Sequence, residues 1–183
     1  MRGFNPTPDQ AAAERTLPTV FVGDTLAQRT ADLLDSFAEE RPSEGVVYWF
    51  GLELGEQAVV TTLVVPDADT QTGAVHTTIQ ANVQALSTIV GTPLVLLGQT
   101  HSHPASNVRH SPIDDRDTFA RFEGALSVVV PYFGRYGLDL HTSGVYRHIN
   151  GRFEQILPDV MAGHLVVLPG FADLRCPSKG SLQ

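Results

Sequence analysis

The sequence has little sulfur and few positive charges. Cys176 is the only cysteine among 183 residues, so the chain can form neither an internal disulfide nor a cysteine-rich zinc site. The 12 Lys and Arg are scattered among 20 Asp and Glu, which gives a net charge of -8. Because no segment offers the basic face that a phosphate backbone requires, we expect no nucleic-acid partner.

Long apolar runs are also missing. No stretch approaches the ~20 apolar residues that cross a bilayer, and the N-terminal segment lacks the apolar centre of a signal peptide. We therefore expect a cytoplasmic protein with no membrane partner. Cys176 is a poor candidate nucleophile, because its segment is irregular and contains no histidine.

Helical and strand-like patterns alternate along the rest of the chain, which predicts an α/β (α+β) fold with one sheet covered by helices. We expect a flexible leader at residues 1–18, a single domain at 19–157 and an irregular C-terminal tail at 158–183. The predicted elements are a strand and a helix within 19–42 (N-cap Asp24, end at Pro42), a hairpin within 45–66, a loop at 66–73, a helix within 75–91 that packs through Ile79, Val83, Leu86 and Val90, a central strand at 92–103, a helix at 111–124, a strand near 125–133, and a hairpin around Asn150 and Gly151.

Two histidines end the predicted central strand, in the sequence "TPLVLLGQTHSHP". His101 and His103 are two residues apart, so their side chains point to the same face of the strand and can reach one point together. Asp114, in the first turn of the next helix, can fold back toward that point. Two imidazoles and one carboxylate leave a fourth position open for water, which is typical of catalytic rather than structural zinc.

The same residues also suit a helix N-terminus without any metal. Ser111 is a favourable N-cap, Pro112 a favourable first residue, and Asp114 completes a capping box. We expect the two roles of Asp114 to exclude each other, because a carboxylate that binds a metal should not also reach the Ser111 amide. His110 lies beside this pattern and is expected to be a loop residue near the substrate path.

The spacing H-x-H-P-x6-S-x-x-D, formed by His101, His103, Pro104, Ser111 and Asp114, resembles the signature of JAMM (MPN-plus, JAB domain) metalloproteases, of the stand-alone prokaryotic deubiquitinase-like type. "PSEGVVYWFG" resembles the upstream strand of that family and would make Glu44 the general acid/base, ahead of Glu39, Glu40 and Glu53. The resemblance spans about residues 20–156. It implies a JAB/MPN-like domain, with a mixed curved sheet flanked by helices and a cytidine-deaminase-like metal site.

By the same resemblance, one Zn²⁺ with a bound water would be held by His101, His103 and Asp114, while Ser111 would stabilise the oxyanion. The implied activity is that of an isopeptidase that cleaves after the C-terminal glycine of a ubiquitin-like protein. The implied partners are that protein, its conjugates and E1/E2-like proteins of a bacterial pathway such as antiphage defence. The alternatives are a peptidase that processes sulfur-carrier proteins and a non-catalytic MPN-like scaffold.

Overall fold

One eight-stranded sheet organises the protein in a computed structural model that describes residues 17–170. The strands are β1 (Thr19–Gly23), β2 (Val46–Glu53), β3 (Gln57–Val64), β4 (Ala68–Gln71), β5 (Ala74–Thr77), β6 (Val95–Ser102), β7 (Leu126–Val130), β8 (Gly144–Ile149), β9 (Arg152–Gln155) and β10 (Leu165–Leu168). The α-helices of this part of the chain are α1 (Asp24–Ser36), α2 (Ile79–Ser87) and α3 (Pro112–Asp117). None of them has the length and apolar character needed to span a membrane.

The main sheet is mixed, with the strand order β10-β1-β3-β2-β6-β7-β8-β9. Strand β1 runs parallel to both β10 and β3, and β6 runs parallel to β7, whereas the remaining pairs are antiparallel. Strands β4 and β5 form a separate hairpin. The predicted class, an α/β domain with a mixed curved sheet flanked by helices, is confirmed.

The two faces of the central strand β2 bury different clusters. Val47 and Trp49 pack on the α1 side, where the Trp49 indole nitrogen donates a hydrogen bond to Thr30 Oγ1 at 3.1 Å. Val46, Tyr48 and Phe50 point to the opposite side, toward α2. Because β2 is buried on both faces, its sequence is continuously apolar and does not alternate between apolar and polar residues.

The helix α1 differs from its prediction at both ends. Gly23 rather than Asp24 is the N-cap, and Asp24 lies in the first turn, where a carboxylate favours the helix dipole. The helix ends at Ser36, well before Pro42. The ring of Phe37 packs against Gly45 so closely that a side chain at residue 45 would collide with it. This contact turns the chain toward β2 earlier than the proline requires.

The prediction of a loop at 66–73 is wrong, because residues 68–73 form β4 and the turn into β5. Strand β4 alternates only between half-buried and exposed residues and β5 does not alternate, so the strand period is weak. Hydrogen bonds with the preceding segment hold the hairpin from outside. Thr72 Oγ1 donates to the Pro42 carbonyl at 2.8 Å, and the Gln71 carbonyl accepts from the Glu44 amide at 2.8 Å.

The helix α2 buries a different face from the one predicted. Ile79, Val83, Leu86 and Val90 are exposed, and Ala81 and Ala85 face the sheet. The Tyr48 hydroxyl donates to Asn82 Oδ1 at 2.6 Å, which fixes the rotation of the helix about its axis. Small alanine side chains allow the close approach that this bond requires, so the apolar spacing alone gave the wrong face.

The remaining strands agree with the predictions in the middle of the domain and differ at its end. Strands β2, β3, β6 and β7 are confirmed, as is the hairpin of β8 and β9, which turns at Asn150 and Gly151 with positive φ angles of 51° and 82°. We expected the domain to end at residue 157 and the chain to be irregular from residue 158. This prediction is wrong for β10, which pairs with β1 in the main sheet. Residues 1–16 of the predicted leader, and Cys176, lie outside the described residues.

Strand β6 has no room for a side chain at Gly98, because a Cβ there would collide with the backbone carbonyl of Leu126 on β7. We expect Gly98→Ala to lower the free energy of unfolding by about 1–3 kcal/mol, as overpacking does. Gly73→Ala is the matched control, since a Cβ at that position meets no atom within 4 Å. Urea denaturation of both variants measures the effect, and equal stabilities would contradict the packing of β6 on β7.

Candidate metal centre

The end of β6 brings two histidines to one face of the sheet. His101 and His103 are buried, with exposed fractions of 2% and 9%, and their ring centroids lie 5.1 Å apart. Asp114 reaches them from α3, with Oδ1 at 3.5 Å from His101 Nε2 and Oδ2 at 3.4 Å from His103 Nε2. The structure therefore brings together the three side chains that the sequence predicted as metal ligands.

The spacing and chemistry of these side chains fit a metal ion. One ligand atom from each residue lies within 4.8 Å of the other two. Ligands bound at about 2.0–2.1 Å to a tetrahedral zinc lie about 3.3 Å apart, close to the two distances to Asp114. Both ring nitrogens of His101 are buried without a hydrogen-bond partner among the described residues. A bound cation would satisfy one of these nitrogens, which would otherwise be costly to bury.

His103 is oriented by the backbone. Its Nδ1 lies 2.7 Å from the Asn107 carbonyl, which can only accept a hydrogen bond, so the proton is assigned to Nδ1. Its Nε2 is then free to face Asp114. This arrangement, in which the second nitrogen of a histidine is held by a carbonyl, is typical of metal-binding histidines.

Asp114 both caps α3 and faces the two histidines, contrary to our expectation that these two roles exclude each other. Asp114 Oδ2 accepts a hydrogen bond from the Ser111 amide at 2.6 Å, and Ser111 Oγ accepts one from the Asp114 amide at 3.1 Å. A carboxylate has two oxygens and about four lone-pair directions, so one group can serve both roles. The capping box thus aims the Asp114 carboxylate at the histidines.

Glu44 lies beside this group because of the pairing of β2 with β6. Val46 is opposite His101 in the antiparallel register, and Gly45 exchanges hydrogen bonds with Ser102, its amide donating to Ser102 Oγ and its carbonyl accepting from the Ser102 amide. Glu44 is only 3% exposed, whereas its rivals Glu39, Glu40 and Glu53 are exposed. Burial therefore distinguishes Glu44 from the other candidate glutamates, which the sequence alone did not.

The charged groups of the site shift one another's pKa values. Burial raises the pKa of Glu44 to about 7, with the charge of His103 opposing the rise and that of Asp114 adding to it. Burial also works against ionised Asp114, but the neighbouring imidazoles of His101 and His103 hold its pKa well below the usual range. Burial alone would lower the pKa of His103. Its contacts with Asp114, the Asn107 carbonyl and Glu44 outweigh burial, so the pKa is raised.

His110 is a loop residue, as we expected, and its side chain is buried. Its side chain is 4% exposed, and burial lowers its pKa to about 4. The other histidines lie outside the ligand group. His76 pairs with Asp117, and His141 lies in an exposed turn. His148 follows the buried Arg147 in sequence, and the His164 carbonyl accepts a hydrogen bond from the Arg147 guanidinium. The sequence gave no signal for the contacts of His110, which come from strands far along the chain.

A small cavity of about 20 Å³ adjoins His101 and Asp114. Its lining includes Tyr48, Thr77 and Gln99, so it combines an aromatic wall with polar groups. A space of this size holds about one water molecule and no side chain. The site is therefore closely walled on the side of β5 and α3.

Known proteins resemble the chain in sequence and in fold. The probable metalloprotease y4jG of Sinorhizobium fredii is 32% identical over 108 residues, or 57% of this chain and 66% of that protein. The chain thus spans just under two thirds of that relative's length. No protein-family model matches the chain.

Among solved structures, protein DSY2949 of Desulfitobacterium hafniense has a TM-score of 0.60 and 13% identity, covering 83% of this chain and 94% of that one. A JAB1/MPN domain protein from Archaeoglobus fulgidus has a TM-score of 0.47 and 18% identity, covering 81% and 97%. The likeness to DSY2949 shows a shared fold, and a probable metalloprotease is among the proteins that resemble the chain in sequence.

The ligand geometry predicts about one zinc per chain in the purified protein, measured by elemental mass spectrometry. We expect His103→Ala and Asp114→Ala to retain little of it, because each leaves only two ligands. His141→Ala is the matched control, since His141 is exposed and far from the group in sequence. Stoichiometric zinc in either ligand variant would remove that residue from the ligand set.

Proposed function

We propose that the protein is a zinc-dependent peptidase that hydrolyses the amide bond after the C-terminal glycine of a ubiquitin-like protein. The single observation behind this proposal is the buried Glu44 carboxyl, which interacts with the charges of His103 and Asp114 in the ligand group. A structural metal site needs no such neighbour. A hydrolytic site needs one, because a proton must leave the attacking water and reach the leaving nitrogen.

Zinc suits this donor set better than the hard cations do. Imidazole nitrogens are its common ligands, whereas magnesium and calcium prefer oxygen only. The His101, His103 and Asp114 side chains supply three ligands and leave a position open to the cleft. When bound, the ion would lower the pKa of water and polarise the substrate carbonyl.

Glu44 is suited to move the proton. Its pKa of about 7 means that the ionised and protonated forms are both populated at neutral pH. The ionised carboxylate accepts a proton from the attacking water, and the resulting acid donates it to the nitrogen of the leaving amine. The carboxyl is thus regenerated, and one water is consumed for each amide bond broken.

Ser111 is suited to stabilise the oxygen that becomes negative. Its Oγ accepts from the Asp114 amide, so the hydroxyl hydrogen remains available to a substrate atom. A donor fixed in place before reaction is worth more than one that must be recruited from solvent. The capping box fixes Ser111 in this way.

The substrate class follows from the JAMM resemblance and is supported by the site's close walls. A glycine tail has no side chain to place between α3 and the β4–β5 hairpin. The homologous probable metalloprotease favours peptide hydrolysis over a purely structural role. We extend the proposal to conjugates of a ubiquitin-like protein, and to E1/E2-like partners in a bacterial pathway such as antiphage defence.

We expect Glu44→Gln to keep its zinc and to lower kcat by about 10²–10⁴-fold, because the carboxyl moves a proton without being a ligand. The substrate is a ubiquitin-like protein with an extension after its C-terminal glycine, and the products are identified by mass spectrometry. Glu53→Gln, at the exposed end of β2, is the control. Undiminished turnover by Glu44→Gln would disprove the assigned role.

A panel of fusions separates the remaining alternatives. Cleavage of a sulfur-carrier fusion, with ubiquitin-like fusions left intact, would favour the processing peptidase. Binding of these proteins by the zinc-loaded chain without any cleavage would favour the scaffold. Chelation should abolish cleavage and added zinc should restore it.

A further inference from the structure

The helix α3 is attached to the sheet by polar contacts. It has only six residues, and none of them is buried. A helix this short is unstable by itself and must be held by contacts with the rest of the protein. Since it supplies Asp114, whatever holds α3 also sets the position of that carboxylate.

The C-terminal end of α3 is held by Gln99 of β6. Gln99 Oε1 accepts hydrogen bonds from the amides of Phe119 and Ala120 at 3.0 and 3.4 Å. The Gln99 amide group also donates to Thr118 Oγ1 at 3.4 Å. One side chain from the strand that bears the histidines thus fixes where the helix stops.

The N-terminal end is held by His110. Its Nδ1 lies 2.9 Å from Asp115 Oδ1 in the helix, and its Nε2 lies 3.0 Å from Ser127 Oγ on β7. The ring stacks on Tyr146 of β8 at a centroid distance of 3.9 Å, and the His110 amide donates to the Tyr146 hydroxyl at 3.1 Å. These contacts connect the first turn of α3 to two strands beyond β6.

His110 also touches the ligand that has no hydrogen bond of its own. His103 is oriented by the Asn107 carbonyl and Asp114 by Ser111, but neither ring nitrogen of His101 has a partner among the described residues. Its ring lies between those of His103 and His110, at centroid distances of 5.1 and 5.7 Å. Packing against His110 therefore limits the rotation of His101.

The order Asp115, His110, Ser127 matches the connections of a serine-nucleophile triad, with the carboxylate at Nδ1 and the hydroxyl at Nε2. Ser127 has no solvent exposure and sits on β7 between β6 and β8, so no substrate can reach its hydroxyl. A neutral ring satisfies both contacts, because Nδ1–H donates to the carboxylate and Nε2 accepts from the hydroxyl. The hydrogen bonds among Asp115, His110 and Ser127 therefore hold α3 in place and do not form a nucleophile.

We infer that His110 is a positioning residue for the metal centre, which fixes Asp114 through Asp115 and the first turn of α3 and fixes His101 through ring packing. This inference rests on the proposed function, because it assumes that the ligand group binds a metal. It predicts that breaking the His110–Asp115 contact weakens metal binding, even though neither residue is a ligand. Supporting residues around metal ligands typically change affinity by about 10–100-fold.

The test measures the dissociation constant for Co²⁺ by competition with a chromophoric chelator, together with the d–d absorption spectrum of the bound ion. We expect His110→Ala and Asp115→Ala to weaken binding by about 10–100-fold and to alter the spectrum. Asp115→Asn should restore most of the affinity, because its amide oxygen still accepts from Nδ1–H. Asp115 is exposed, so its variants remain informative if His110→Ala fails to fold.

Asp159→Ala is the charge-matched control, since it removes one exposed carboxylate that lies outside α3. We expect it to bind Co²⁺ nearly as the parent does. Parent-like affinity and spectrum in Asp115→Ala would overturn the inference while leaving the metal centre intact. An equal loss of affinity in Asp115→Asn and Asp159→Ala would also overturn it, by showing that only charge matters. A parent that binds no cobalt would instead overturn the proposed function.

Discussion

The antiparallel register of β2 against β6 determines most of what the site can do. With Val46 opposite His101 and Gly45 bonded to Ser102, Glu44 has no freedom to lie elsewhere than beside His103. A shift of one residue would turn Glu44 to the other face of the sheet, since side chains alternate. The Phe37 ring against Gly45 and the hydrogen bond from Glu44 to Gln71 hold this register from both sides of the chain.

Burial gives the charged groups of the site their differences in behaviour. Glu44 and Asp114 are both carboxylates in a poorly solvated place, yet their pKa values move in opposite directions. Asp114 is surrounded by hydrogen-bond donors and stays ionised, as a ligand must. Glu44 has fewer such donors and remains close to its point of half-protonation, as a proton carrier must. The same fold thus assigns two roles to one functional group.

The sequence predicted what depends on local spacing, and it failed where distant contacts decide. His101, His103 and Asp114 were found because a strand period and a capping pattern place them. The buried face of α2 was missed because the Tyr48–Asn82 bond and two alanines override four larger apolar residues. The β4–β5 hairpin was missed because its short strands contribute few apolar residues to the core, and its anchor points lie near residues 42 and 44. His110 meets partners 17 and 36 residues away, which no local pattern reveals.

The way in which α3 is attached explains how stability and site geometry can be separated in this fold. An apolar anchor would hold the helix firmly but would allow it to slide, because hydrophobic contacts have little directionality. Hydrogen bonds from Gln99 and His110 each contribute only about 1 kcal/mol, but they specify distance and angle. The core clusters on either side of β2 can supply the folding free energy without them. The polar attachments are therefore free to set the position of one carboxylate, and their loss should disturb the site well before it unfolds the chain.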